Sequence, residues 1–144
     1  MITDQLHTGK RLALIAHDNK KEDLIAWAFQ NKNSLTHHAL SGTGSTATLL
    51  EEKTGLPVKK LLSGPLGGDQ QVGALIAERK IDFLIFFWDP MEAQPHDSDV
   101  KALLRIAVAW NILIANNRTT ADFLLASTLM NKEYTMEVPD YSKY

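Results

Sequence analysis

The chain has 144 residues, of which 44% are hydrophobic and 22% are charged. This composition excludes an intrinsically disordered chain, and the length predicts a single domain that spans residues 1–144. Fifteen Lys and Arg against 17 Asp and Glu give a formal net charge of -2, which disfavours nucleic acid as a partner. The absence of cysteine excludes disulfides, thiolate metal sites and a cysteine nucleophile, and is typical of a reducing compartment.

The sequence contains no signal for membrane insertion or export. Apolar runs such as residues 83–88 are far shorter than the roughly 20 residues of a spanning helix. The first ten residues lack the apolar core and the small-residue cleavage site of a signal peptide. We therefore expect no contact with a membrane and a cytoplasmic location.

Short apolar runs alternate with longer amphipathic stretches along the chain. In chain order, this pattern predicts alternating strands and helices, with strands at 11–16, 39–41, 58–62, 83–87 and 112–115, and helices at 20–30, 45–53, 70–79, 99–110 and 119–127. The run FLIFF at 83–87 lacks polar-apolar alternation, which is typical of a strand that is covered on both faces. The sequence therefore predicts a doubly wound α/β fold with a five-stranded parallel sheet flanked by helices.

Polar residues follow four consecutive predicted strands. In such a fold, ligands bind where the carboxyl ends of the strands meet loops and helix N-termini. The segments in question are HDNKK at 17–21, GTGST at 42–46, SGPLGGD at 63–69, and WDP at 88–90 with QPHDSD at 94–99. We therefore expect a polar site at this edge of the sheet.

The segment Gly44, Ser45, Thr46 has two interpretations. Ser and Thr are common helix caps, so a turn with an N-cap explains the segment. A phosphate cradle also explains it, because glycine lets the backbone approach an anion while hydroxyls and free N–H groups donate hydrogen bonds. The segment lacks the Lys-Ser/Thr ending of a P-loop, so a nucleoside triphosphate is not indicated. Ser63 and Gly64 form a second candidate donor pair.

The acidic residues and histidines near these segments also keep two interpretations. Local sequence favours Asp69 as the N-cap of the following helix, and a carboxylate beside an anion cradle also fits a general base. His96 fits either a solvated loop residue or a donor to a developing oxyanion. Asp18 and Asp99 fit helix caps, and Lys21 fits a surface charge.

Other polar residues favour structural roles. Asp89 before Pro90 is typical of a turn, and His7, His37 and His38 are predicted to lie on the surface. No spacing in the sequence resembles a strong metal-binding motif, so a metal is not indicated.

In combination, several of these segments resemble the methylglyoxal synthase family. They are HDNKK at 17–21, TGST at 43–46, LLSGPLGGDQQVGALI at 61–76, and IFFWDP at 85–90 with QPHDSDVKALLR at 94–105. The resemblance runs over residues 12–144 and is specific because SGPLGGDQQ and PHDSD occur together. It implies a methylglyoxal-synthase-like fold of flavodoxin-like architecture. It also implies a lyase that converts dihydroxyacetone phosphate to methylglyoxal and inorganic phosphate, without metal or organic cofactor, in a bypass of part of glycolysis.

The same resemblance implies roles for individual residues. Asp69 corresponds to the base that removes a proton from the hydroxyl-bearing carbon, and His96 corresponds to the group that assists at the enediolate oxygens. Asp99 and Asp18 correspond to residues that support the hydrogen-bond network. The substrate-holding positions correspond to His17, Lys21, Thr43, Gly44, Ser45, Thr46, Ser63, Gly64 and again His96.

The resemblance further implies a homohexamer that free phosphate inhibits by occupying the cradle. The printed sequence ends at Tyr144, where some relatives continue into a tail with an arginine that approaches a neighbouring subunit's site, so we expect that contact to be missing. One rival interpretation is a non-catalytic regulatory ligand-binding domain of the same fold. Another is a phosphosugar isomerase that uses the same base.

Overall fold

The computed structural model describes residues 2–91 and 97–144, and the side chains of residues 97–99 lie outside this description. Its strands are β1 (Ile2–Leu6), β2 (Arg11–Ala16), β3 (Ala39–Thr43), β4 (Val58–Leu61), β5 (Phe83–Phe87), β6 (Leu113–Ala115) and β7 (Tyr134–Val138). Its α-helices are α1 (Lys21–Gln30), α2 (Lys32–Leu35), α3 (Gly44–Thr54), α4 (Gly68–Ala77), α5 (Asp97–Ala109) and α6 (Arg118–Leu125). Short 3-10 turns lie at Asp18–Lys20 and Gly64–Leu66.

Strands β2 to β6 form a parallel sheet with helices on both faces. All five strand predictions and all five helix predictions are confirmed, with ends that differ by at most two residues. Alternate residues of β5 face different cores: Phe83, Ile85 and Phe87 pack with α1, α3 and α6, whereas Leu84 and Phe86 pack with α4 and α5. This double burial explains why the run lacks polar positions, and it confirms the doubly wound α/β fold.

The strand order positions a crevice at one edge of this sheet. The order is β4-β3-β2-β5-β6, so the parallel strands read 3-2-1-4-5 along the chain. The layers confirm the flavodoxin-like architecture, although flavodoxin itself has the strand order 2-1-3-4-5. The winding direction reverses between β2 and β5, and open α/β sheets bind ligands at such a reversal.

An antiparallel ribbon of β1 and β7 lies outside the main sheet, and the sequence did not predict it. Leu6 on β1 packs with Met136 and Val138 on β7, against Trp110 at the end of α5. The ribbon thus fastens both terminal segments of the described chain beside α5. Within the described residues, none of the helices has both the length and the apolar character needed to cross a membrane.

A buried lysine lies beside a half-buried histidine at the amino-terminal edge of the sheet. Lys10 is 2% exposed, and its ammonium group donates to the backbone oxygens of His7 and Lys132. The backbone N–H of Lys10 donates to Nδ1 of His38 at 2.9 Å. The surface prediction is therefore wrong for His38, because β3 begins directly after it, alongside the start of β2. It is confirmed for His7 and His37.

We expect His38 to make the stability of the protein dependent on pH. Burial lowers the pKa of His38 from its ordinary 6.5, and the charges of Lys10 and His37 lower it further. Protonation therefore favours the unfolded chain, so stability is full above pH 6.5 and decreases as the pH falls towards the folded-state pKa. His38→Asn keeps an acceptor for the Lys10 N–H and removes the titration, so it should flatten this dependence.

Urea-unfolding midpoints between about pH 7 and pH 5 measure this effect. His37→Asn is the matched control, because the same substitution is made at the exposed neighbour. Equal pH dependence in the wild type and the His38→Asn protein would contradict the prediction.

Candidate active site

A cleft of about 500 Å³ opens at the carboxyl ends of β2, β3 and β4. Three loops contribute its walls, one after each strand, which is the edge where the sequence predicted a polar site. The sequence-predicted site residues that the structure brings together here are His17, Asp18, Lys21, Thr43, Gly44, Ser45, Thr46, Ser63, Gly64 and Asp69.

The amino terminus of α3 forms one wall of the cleft. Thr43 is the N-cap by backbone position, but its side chain makes no capping hydrogen bond in the described part of the chain. Ser45 and Thr46 lie inside the first turn, so the cap interpretation of these two residues is wrong. The first-turn N–H groups therefore lie at the cleft without a side-chain cap, where the positive end of the helix dipole favours an anion.

Gly44 allows the start of α3 to touch the loop that follows β4. Its φ is +47°, a left-handed value that favours glycine. A Cβ built on Gly44 would lie 2.8 Å from the Cβ and 2.9 Å from the Cα of Ser63. The two candidate donor segments, residues 43–46 and the pair Ser63-Gly64, are therefore in direct contact and form one cradle.

Lys21 contributes a positive charge to the same cleft. Its ammonium group donates to Ser45 Oγ at 3.0 Å and pairs with Asp18 Oδ1 at 2.9 Å. The hydrogen bond and charge of Lys21 lower the pKa of Asp18, so this carboxylate is ionised at neutral pH. Asp18 lies in a 3-10 turn and does not cap α1, which begins at Lys21. Lys21 is thus held over the cradle and is not a freely solvated charge.

Asp69 lines the same cleft, and its carboxylate lies beside Gly64 of the cradle. It is the second residue of α4, because Gly67 at φ +109° is the N-cap and Gly68 begins the helix. The N-cap prediction for Asp69 is therefore wrong. A Cβ on Gly68 would lie 1.9 Å from the carbonyl oxygen of Leu62, so the loop folds back tightly at this point. A Cβ on Gly64 would lie 3.5 Å from both carboxylate oxygens of Asp69, so Gly64 leaves the space beside that carboxylate open.

His17 lies where the winding of the sheet reverses. Its backbone N–H donates to the carbonyl of Phe87 at 3.1 Å, and its ring meets Phe86 edge-on with centroids 5.3 Å apart. Its Nδ1 accepts the backbone N–H of Asp89 at 3.1 Å. The turn predicted at Asp89 is confirmed, since Asp89 Oδ1 accepts the N–H of Met91 at 3.0 Å.

Two predicted site residues are not part of this description. His96 lies outside the described residues. Asp99 is the third residue of α5, and its side chain lies outside the description, although the helix begins at Asp97 and Asp99 is therefore not its N-cap. In the part of the chain that is described, no group of three or more His, Asp or Glu residues could hold a metal ion.

Comparisons with known proteins identify the family. The family model for the MGS-like domain matches residues 23–116. Methylglyoxal synthases from Yersinia pestis (strain Pestoides F) and Yersinia pseudotuberculosis serotype O:1b are each 54% identical over 144 residues, which is 100% of this chain and 94% of each relative. The chain belongs to the methylglyoxal synthase family. The crystal structure of methylglyoxal synthase from Elizabethkingia anophelis NUHP1 matches with a TM-score of 0.94 at 53% identity, over 100% of this chain and 95% of that chain.

Membership of the methylglyoxal synthase family confirms the resemblance that the four segments carry. Sequence reasoning nevertheless missed Asn19, Pro65 and Phe86, which also line the cleft. Asn19 lies inside the segment HDNKK, so its position at the end of a predicted strand could have identified it as a residue of the cleft. Phe86 was visible only as a buried strand residue, because the sequence does not reveal that its ring reaches the cleft beside His17.

Proposed function

We propose that the chain is a carbon-oxygen lyase that converts dihydroxyacetone phosphate to methylglyoxal and inorganic phosphate. The observation that carries the proposal is one cleft that is lined both by an anion cradle and by the Asp69 carboxylate, which lies beside Gly64 of that cradle. The names of the 54% identical relatives support the same reaction. The proposed mechanism uses no metal or organic cofactor.

The cradle binds the phosphate group of the substrate in this proposal. Uncapped N–H groups of α3 and hydroxyl groups donate hydrogen bonds to the phosphate oxygens, and the Lys21 ammonium group offsets their charge. The proposed binding residues are His17, Lys21, Thr43, Gly44, Ser45, Thr46, Ser63 and Gly64.

The reaction begins with transfer of a proton to Asp69. The carboxylate removes a proton from the hydroxyl-bearing carbon, and the electron pair of that C–H bond moves into an enediolate. His96 donates a hydrogen bond to the enediolate oxygens, and Asp99 and Asp18 support the hydrogen-bond network. The enediolate electrons then break the carbon-oxygen bond to phosphate, and the resulting enol becomes methylglyoxal by taking up a proton at its terminal carbon and losing its hydroxyl proton.

The orientation of the phosphate decides between elimination and isomerisation. Expulsion of phosphate is fast when the breaking carbon-oxygen bond lies roughly perpendicular to the enediolate plane, because the enediolate electrons then overlap with that bond. A cradle that holds the phosphate out of this plane therefore favours methylglyoxal over an isomerised triose phosphate.

We also propose the surroundings in which this enzyme works. The 144 residues act as one domain in a cytoplasmic homohexamer, with a role as a glycolytic bypass and without nucleic acid or membrane as partners. Inorganic phosphate inhibits by binding in the cradle. Light scattering tests the assembly, and a monomeric mass would contradict the hexamer.

The test of the function is incubation of the protein with dihydroxyacetone phosphate in phosphate-free buffer. We expect methylglyoxal and phosphate to appear in equal amounts, and both to be lost in the Asp69→Asn protein. Binding of the substrate without either product would favour a regulatory domain. Interconversion of triose phosphates without release of phosphate would favour an isomerase.

A further inference from the structure

A chain of hydrogen bonds joins the ends of β2 and β5 beside the cleft. The backbone N–H of Asp89 donates to His17 Nδ1 at 3.1 Å. The carboxylate of the same Asp89 accepts the Asn19 side-chain amide at 3.0 Å through Oδ2 and the Met91 N–H at 3.0 Å through Oδ1. The residue that donates to His17 is therefore itself held on two sides.

The hydrogen bond at Nδ1 decides which nitrogen of His17 carries the proton. A neutral imidazole has one donor and one acceptor nitrogen, and a backbone N–H can only donate. Nδ1 is therefore the acceptor, and the proton of the neutral ring lies on Nε2. The edge-on contact with Phe86, at an interplanar angle of 89°, also fixes the plane of the ring. His17, which lines the cleft, thus has a single ring N–H in one fixed direction.

We propose that Asp89 is a positioning residue that holds His17 as an Nε2–H donor to a substrate oxygen in the cleft. The proposal rests on the proposed function, because it takes His17 to contact the substrate. A donor that is oriented before the reaction needs no reorganisation as negative charge develops on oxygen. These hydrogen bonds join the ends of β2 and β5, between which the winding reverses. Residues from both sides of the crevice therefore set the direction of one N–H group.

The carboxylate of Asp89 is suited to this role at neutral pH. The hydrogen bond from Asn19 and that from the Met91 N–H lower the pKa of Asp89, so it remains an acceptor for both. The link from Asp89 Oδ1 to the N–H two residues later is an Asx turn, which Asn also forms. Asp89→Asn is therefore the conservative variant, which keeps the turn and loses only the acceptor for Asn19, whereas Asp89→Ala removes the turn.

The first measurement is the tautomer of His17 by nitrogen NMR of histidine-labelled protein in weakly alkaline buffer, where imidazoles are neutral. The His17 signals are assigned by their loss in a His17→Gln protein. We expect His17 to carry its proton on Nε2 in the wild type and in the conservative variant Asp89→Asn. We expect Asp89→Ala to show a mixture of both tautomers, because the backbone N–H of residue 89 is no longer held towards the ring.

The second measurement is steady-state turnover of dihydroxyacetone phosphate by the same proteins. We expect Asp89→Ala to lower kcat about tenfold or more through misplacement of the donor, and Asp89→Asn to restore it. Asp140→Ala is the matched control, since Asp140 Oδ1 forms the same type of turn with the Ser142 N–H at 3.0 Å, outside the lining of the cleft. It should leave both the tautomer and kcat unchanged.

The outcomes separate this inference from the proposed function. A wild-type His17 with its proton on Nδ1 overturns the inference whatever the activity. Asp89→Ala with the wild-type tautomer and kcat also overturns it. If the wild type forms no methylglyoxal, the proposed function is contradicted. If the Nε2–H tautomer of the wild type is nevertheless lost in Asp89→Ala, the control of the tautomer by Asp89 is supported.

Discussion

Replacement of Asp69 by Asn is expected to lower kcat for methylglyoxal formation by about 10²–10⁴-fold, the usual contribution of a general base. The amide cannot accept the proton that the carboxylate takes from carbon. The fold should persist, because Asp69 lies in the first turn of α4 without capping it. The loss of its favourable interaction with the helix dipole costs about 0.3–1 kcal/mol. Steady-state kinetics and urea unfolding measure the two effects separately.

Asp23→Asn is the matched control for this experiment. Asp23 also lies in the first turn of a helix, α1, and it does not line the cleft. The control should show a similar small change in stability with unchanged kcat. A folded Asp69→Asn protein with wild-type turnover would assign Asp69 a structural role and place the base elsewhere.

Gly44→Ala is expected to raise KM for dihydroxyacetone phosphate by about a hundredfold or more. The new Cβ would meet Ser63 at 2.8 Å, so the start of α3 must move away from the loop after β4. That movement weakens at least two hydrogen bonds to a charged phosphate, each contributing about 1.5–3 kcal/mol, and about 1.4 kcal/mol corresponds to a tenfold change. Calorimetric titration with inorganic phosphate reports on the same cradle without turnover.

Gly55→Ala is the matched control, because it separates the effect of the clash with Ser63 from the effect of the left-handed backbone conformation. Gly55 ends the same helix at φ +73°, and a Cβ there would have nothing within 4 Å. Both substitutions therefore carry the left-handed cost of about 1–2 kcal/mol, but only the one at Gly44 disturbs the cleft. Equal affinity for phosphate in the two variants would contradict the assignment of the cradle as the phosphate-binding site.

The local pattern of the sequence was sufficient for the main sheet and insufficient for the ribbon. Runs such as FLIFF identify a strand because every position is apolar. In β7, Met136 and Val138 are buried while Glu137 is exposed, so a period-two signal was present. Its partner β1 lies more than a hundred residues away, and no local pattern encodes such a pairing. The strand order is undetermined from sequence for the same reason.

The position of the site was predictable, whereas the local role of each residue was not. Polar residues at strand ends predicted the cleft, because parallel strands bring their carboxyl ends together. Asp69 and Ser45 were misplaced as caps because cap preferences assume ordinary backbone geometry. The left-handed Gly67 and Gly44 start their helices earlier, which frees the polar side chains that follow for the cleft.

The double burial of β5 has a consequence for how the protein melts. Phe83, Ile85 and Phe87 belong to one core, while Leu84 and Phe86 belong to the other. The residues of β2 are divided between the same two cores, so the sheet is their common wall. Neither core can lose its packing without exposing that wall to water and weakening the other. The α/β sandwich therefore unfolds as one cooperative unit, and the cleft at the ends of its strands disappears in the same step.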